Sequence, residues 1–240
     1  MGAGPNSRIR LRRGVVWGVI AGAGLLALGG ASMLVLSSHQ APAPLALRTP
    51  VAGSAQSSLA GTWKVVTGSE AGYRVKEKFI NQPATTEAVA RTPKVTGSLV
   101  VASSGSELIA TKIHFTADLT ALVSQDRYAN YQVFQRDSFV RDIYLETNRF
   151  PTADFTASSV RMSADLTTAI PLSVNGNLNV HGFTKPVVAQ MQVQLSGNQV
   201  EIAGSINIDM RDFAIVPPDI AFTTAEPQAV IEFDIFLDRV

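Results

Sequence analysis

The last third of the chain alternates apolar and polar residues with almost no errors, and this constrains the fold more than any other feature. From Val187 to Leu195 the odd positions read Val187, Ala189, Met191, Val193 and Leu195, with Gln190, Gln192 and Gln194 among the even ones. From Ile231 to Asp238 the pattern recurs as Ile231, Phe233, Ile235 and Leu237 against Glu232, Asp234 and Asp238. A period of two places all apolar side chains on one face of a strand. A sheet with one oily face must bury it, and with few helices to cover it the sheet folds onto itself as a sandwich or a closed barrel. Such a barrel has a polar skin and an apolar interior, which points towards an apolar ligand.

The N-terminal quarter is different. Residues 1–13 carry Arg8, Arg10, Arg12 and Arg13, and an uncharged run of 23 residues follows from Gly14 to Leu36. At the helical rise such a run spans roughly 34 Å, enough for a bilayer hydrocarbon core of about 30 Å. It is longer than the apolar core of a secretory leader. Ala41-Pro42-Ala43-Pro44 makes a poor cleavage site, so the reading is an uncleaved single-pass anchor, with a cleaved leader as the alternative. Basic residues before the span keep the N-terminus cytoplasmic and place the rest of the chain outside the cell membrane. Gly14, Gly18 and Gly22 share one helix face, on which two spans can pack as a homodimer. Residues 37–60 are rich in Pro, Ala and Ser and read as a flexible linker. Residues 61–240 suit one domain.

Five of the 20 basic residues lie in the first sixty with no acid, so the domain holds 15 Lys+Arg against 19 Asp+Glu. A mildly acidic domain argues against nucleic acid or anionic headgroups as partners. The absence of cysteine removes disulfides, thiol catalysis and thiolate metal sites together. His39, His114 and His181 are far apart and predict no metal site, His114 on a polar strand face and His181 in a tight turn. No nucleophile elbow, His-Glu-x-x-His helix or phosphate-binding glycine loop is present, which favours a protein that is not an enzyme.

Strands are predicted at Thr62–Val66, Gly72–Phe79, Val95–Val101 and Leu108–Leu119, then at Ala153–Met162, Leu172–Val180, Pro186–Leu195, Val200–Met210 and Ala229–Asp238. The stretch between Phe79 and Val95, with Pro83 and Pro93, reads as loop. Asp126–Leu145 has apolar residues at helical intervals and reads as the one helical segment, in one or two pieces. The class is all-β, with eight or nine strands.

Several motifs sharpen this. Val174-Asn175-Gly176-Asn177-Leu178-Asn179-Val180-His181-Gly182-Phe183-Thr184-Lys185-Pro186-Val187 resembles the glycine-threonine-lysine-proline hairpin of the YceI-like family. Arg136-Asp137 with Phe150-Pro151-Thr152-Ala153-Asp154-Phe155 resembles a second segment of that family. Ala71-Gly72-Tyr73-Arg74-Val75 and Arg91-Thr92-Pro93-Lys94-Val95-Thr96-Gly97 resemble its membrane-anchored branch. The resemblance covers nearly all of 61–240. It implies an eight-stranded antiparallel, lipocalin-like barrel outside the cytoplasm, whose tunnel takes an isoprenoid lipid such as a polyprenol or quinone, with no other cofactor. Two departures stand out: the helical insert is longer than usual, and Ala214 stands where a glycine is usual.

The residues expected to line the lumen are Tyr73, Val75, Phe79, Ile113, Phe115, Val174, Leu178, Val180, Met191, Val193, Ile206, Ile208, Phe233 and Ile235. A plain packed core is the competing reading of the same positions. Glu77 is the exception on its face, because a buried carboxylate must be paired or protonated. Glu77, Arg136 and Arg141 are the candidates for a polar group at the mouth, against a purely structural Arg–Asp network. Two further functions stay open: an interaction or envelope-stress module with a filled barrel, and a hydrolase or isomerase of lipid precursors.

Overall fold

The computed structural model describes residues 41–51, 58–80, 84–127 and 133–240. The basic segment 1–13, the run 14–36 and its glycine face lie outside these residues. Among the described residues no helix is long and apolar enough to cross a membrane.

The sheet contains β1 (Gly61–Val65), β2 (Glu70–Phe79), β3 (Thr86–Thr92), β4 (Val95–Ser104), β5 (Glu107–Asp118) and β6 (Val123–Ser124). It continues with β7 (Thr152–Ser163), β8 (Ile170–Val180), β9 (Phe183–Ser196), β10 (Gln199–Asp209), β11 (Asp219–Ile220) and β12 (Thr223–Arg239). One short helix, α1 (Val133–Phe139), runs on into a π-helical turn at Val140–Tyr144. Asp126 and Arg127 precede α1 and are not helical. The helical reading from Asp126 is therefore corrected, because Gln125 N donates to Val89 O and the Asp126 carboxylate accepts from Val89 N, holding this stretch along β3.

Twelve strands make eight staves. β1 and β2 are two halves of one stave, since β12 pairs with both, through Trp63↔Arg239 and Glu70↔Asp234. The break between them is a turn in which the buried Ser69 Oγ donates to Val66 O and accepts from Phe236 N. β3 and β4 form the next stave, bent at Pro93, and pair with β2 and β1 respectively. β6 and β11 are two-residue additions. Every pairing is antiparallel, and β1 pairing with both β4 and β12 closes the ring. Among the described residues the result is an all-β, eight-stranded closed barrel with one short helix, as the resemblance implies; the periodicity by itself leaves a sandwich equally open. β3 corrects the loop reading of 80–94. Its centre is Ala88-Val89-Ala90, too small-residue-rich to stand out in a hydropathy pattern, yet buried on both faces.

All inward positions follow the period of two until Lys112. There φ is +50°, and the β4–β5 register slips between Ser98 and Val100. The extra residue switches the inward set of β5 from Leu108 and Ala110 to Ile113, Phe115 and Ala117. β7 switches in step, from Ala153 and Phe155 to Val160 and Met162. Beyond this point β7 leaves β8, which pairs with it only at Asp154↔Asn179, Phe155↔Leu178 and Thr156↔Asn177.

The barrel has two unlike ends. The upper end holds the 80–85 connection, the insert between β5 and β7, the β8–β9 turn and the loop before β12. The lower end holds short connections after β4, β7 and β9. Trp63, 1% exposed, and the buried Leu166 fill the lower end, with the indole Nε1 donating to Leu59 O at 2.9 Å.

Residues 41–51, part of the stretch read as flexible linker, are laid across the outer wall as a strap. Val51 N donates to Ser196 Oγ and Gly197 N donates to Val51 O, at the lower end of β9. Arg48 N donates to Glu201 Oε1 at 2.7 Å, and Arg48 Nε to Asp234 Oδ2 at 3.2 Å. Leu45 N donates to Glu232 Oε2. Finally Arg74 donates to Pro42 O and Arg91 to Ala43 O. Glu232 also binds Arg74 Nε at 2.7 Å and Arg91 Nε at 2.8 Å. The part of the outer face of β10 and β12 beneath the strap is thus buried, with Glu201, Glu232 and Asp234 each no more than 2% exposed. Apart from the Arg48 side chain, this proline- and alanine-rich stretch is held by its backbone groups, which composition does not reveal.

Burial and the neighbouring Glu201 push the Asp234 carboxyl up to about 6, with Arg48 pulling the other way. An acid whose folded value lies above its unfolded one (about 3.9) weakens the fold as it ionises, so this contribution to stability falls as pH rises from roughly 4 to 6. Asp234→Asn is expected to be more stable than the wild type at pH 8 by roughly 1–2 kcal/mol, in urea unfolding, with the gap closing as pH falls towards 4. A gap independent of pH would rule this account out.

Candidate ligand-binding site

Because every stave turns its apolar residues inward, the lumen is lined almost without polar groups. It holds two cavities of about 130 Å³ and 120 Å³, one above the other. Thr116 borders the lower cavity, but its hydroxyl donates to Asp154 Oδ1 at 2.6 Å on the outer side of the wall. Ala71, Ala117, Ala153 and Ile231 belong to both linings, so the cavities meet at a waist formed mostly by alanine. Of the residues expected in the lumen, Ile113, Phe115, Val174, Leu178, Met191, Val193, Ile206, Phe233 and Ile235 line the lower cavity. Tyr73, Val75, Val180 and Ile208 line the upper one. Phe79, at the end of β2, lines neither.

Other lining residues come from irregular segments. Leu166, in the loop after β7, closes the lower cavity, and Leu145, Met210 and Ile215 stand around the upper one. Leu166 is an isolated apolar residue in a polar loop, and Leu145 and Ile215 sit in short apolar runs without strand periodicity, so none of them stands out in the sequence. Val140 and Tyr144, at i and i+4, turn from the π-helical turn towards the upper cavity.

The upper cavity ends on charge. Glu77 faces it between Val75 and the barrel rim, 3.7 Å from the Arg136 guanidinium of α1. Arg136 also donates through both terminal nitrogens to Asp126, whose side chain is fully buried, and through Nη2 to Ser124 Oγ at 2.7 Å. Burial raises the Glu77 carboxyl above the usual range, Arg136 opposes this, and Asp126 adds to it. Burial likewise raises the Tyr73 hydroxyl. Burial works against the Arg136 charge, but Asp126 and Glu77 outweigh it. The structure thus brings Glu77 and Arg136 together. Arg141 stands apart, donating to Leu122 O at 2.7 Å and tying down the insert. Among the described residues no group of three metal-ligating side chains occurs. His114 is exposed, with Nε2 3.3 Å from Asp154. His39 lies outside the described residues.

Comparison with known proteins places this architecture. The family model described as the YceI-like domain matches residues 63–237. The chain belongs to the YceI-like family. Among curated proteins, none matches it. Its fold is similar to a polyisoprenoid binding domain from Saccharophagus degradans implicated in plant cell wall breakdown, at TM-score 0.52 and 14% identity, over 75% of this chain and 99% of that one. Burkholderia cenocepacia BcnA matches at TM-score 0.46 and 15% identity, over 69% of this chain and 95% of that one. The Campylobacter jejuni YceI protein matches at TM-score 0.34 and 16% identity, over 68% and 84%.

The structure explains why the motifs of this YceI-like chain travel together. His181 takes φ +53° and Gly182 φ +77° in the β8–β9 turn. A Cβ on Gly182 would stand 2.6 Å from the Phe150 ring, so the glycine of one motif makes room for the aromatic of the other. His181 meets the same ring edge-on at 4.7 Å, and its Nδ1 lies 3.1 Å from Phe213 O. Ala214 adopts φ +54°, a left-handed conformation that costs an L-residue roughly 1–2 kcal/mol and suits the glycine usual at this position.

Removing one partner of a buried ion cluster strands the other charges. Arg136→Ala is expected to destabilise the domain by about 3 kcal/mol or more, because Asp126 and Glu77 lose their shared cation. Urea unfolding measures this, and a loss below about 1 kcal/mol would show that water solvates the pair.

Proposed function

We propose that this YceI-like chain is a membrane-tethered binding protein that holds the isoprenoid tail of a polyprenol or quinone outside the cytoplasmic membrane. The observation that carries the reading is the lumen: two apolar cavities in line, joined at a waist of small residues and polar only near their upper end. A prenyl chain gains about 25 cal/mol per Å² buried there, without needing any polar contact. Tyr73, Glu77 and Tyr144 at the upper cavity suit a hydroxyl or quinone oxygen, so the polar group sits above and the tail below. The Saccharophagus degradans neighbour, a polyisoprenoid binding domain, supports a lipid of this class. Binding by a fixed apolar lumen involves no bond making, and nothing in the lumen pairs an acid with a base for catalysis. The uncharged run 14–36 behind four arginines supports the tether and the extracytoplasmic side.

The waist offers the test. Ala153→Phe is expected to block it and to abolish retention of long-chain isoprenoids, while the fold survives. The measurement is mass spectrometry of the organic extract from wild type and variant purified from their own host. A stoichiometric prenyl lipid in the wild type and its loss in the variant support the carrier. A wild type that contains none, and takes up neither added quinone nor polyprenol, overturns it and leaves a filled-barrel interaction module.

A further inference from the structure

Most of the exposed large apolar side chains of the barrel are gathered at one end, with Val188 on the wall of β9 an exception. Ile80 lies on the upper connection after β2, Phe139 and Ile143 on the insert, and Val216, Ile220 and Phe222 on the loop before β12. Ile80 and Val216 are 73% and 74% exposed, and Ile80 N donates to Phe222 O, so the first and last connections share one patch. The lower connections, Ser103-Ser104-Gly105-Ser106, residues 164–169 and Ser196-Gly197-Asn198, carry no exposed large apolar side chain. Among the described residues Val51 and Val240 are exposed near that end.

The upper segments carry apolar residues on both sides, with Ser138, Asp142 and Asp219 exposed among the outward ones. Val140 and Tyr144 face the cavity, while Phe139 and Ile143 on the same helical stretch face outward. Ile215 and Pro218 face the cavity, while Val216 and Ile220 face outward. A surface segment of a water-soluble barrel keeps one side polar, whereas one that lies in a lipid interface has no such need.

The strap points to the same end. It climbs from Val51 at the foot of β9 to Pro42 and Ala43 at Arg74 and Arg91. Arg74 is five residues from Phe79 at the top of its stave and thirteen from Gly61 at the bottom. Four residues, 37–40, separate Leu36 from Ala41. Fully extended, that link reaches about 17 Å, close to the rise from Arg74 to the rim.

We propose that the upper rim docks into the headgroup–acyl boundary of a lipid bilayer, so that the barrel stands mouth-down on the membrane instead of hanging from its anchor. The orientation rests on the reading of 14–36 as that anchor; the rim's partner is the bilayer itself. The upper end of the lumen then faces the phase from which a prenyl chain enters, and the polar lower end faces water.

The absence of native cysteine allows single-site labelling of the full chain. Ile220→Cys and Phe139→Cys report on the rim, and Asn198→Cys and Ser104→Cys on the lower end; all four sites are exposed, so the fold is kept. The chain is reconstituted in phosphatidylcholine–phosphatidylglycerol vesicles with a nitroxide at each site in turn. Relaxation by oxygen is expected to exceed relaxation by a water-soluble nickel chelate several-fold at 220 and 139, with the reverse at 198 and 104. Equal, water-like behaviour at all four sites overturns docking. If the chain then still floats with the vesicles, the anchor survives; if it does not, both readings fall. Lipid extracted from the same preparation reads the carrier function separately.

Discussion

The seventeen residues of β12 are hydrogen-bonded along both edges, to β10 on one side and to β2 and then β1 on the other, and the barrel exists as a closed object only through them. Closure is what gives an alternating sequence a definite inside. With the ring closed, each stave places one row of side chains in the lumen and one on the wall. The lumen's uniform apolarity, the waist of alanines and the seclusion of Glu77 all follow from that. The wall is weakest on the opposite side, where the coupled irregularity at Lys112 and along β7 carries β7 away from β8 after three paired residues.

Charge is managed in two places, and differently. At the upper end a cation from the helical insert, Arg136, neutralises carboxylates from β2 and from the segment before α1. On the wall, acids that would ordinarily face water are covered by the strap and neutralised by Arg74, Arg91 and Arg48. One cluster fixes a lid over an apolar space, and the other fastens the N-terminal chain to the outside of the same staves.

Much of this was legible in the sequence, because period-two alternation reports directly on which residues face inward. Thirteen of the fourteen lumen positions line the cavities; Phe79 does not, since its strand ends at the rim. What the pattern could not carry was anything that breaks its period or lacks side-chain contrast. β3 is built on alanines. The Lys112 bulge shifts a register without changing composition. The strap is held by backbone groups of Pro42, Ala43 and Leu45. The Glu77–Arg136–Asp126 cluster unites β2 with the insert; Glu77, a lone acid on an apolar face, and Arg136 stood out in the sequence, but their pairing did not.

The strap also has a consequence for the order of assembly. Leu45 and Arg48 bind Glu232 and Asp234, which follow them by 187 and 186 residues. Contacts so distant in the chain form slowly, after the loops between them have closed. During synthesis the strap is made before any stave, yet most of its docking surface is completed only when β12 arrives. The earliest part of the described chain is therefore the last to find its place, and its seating marks a barrel that is already finished.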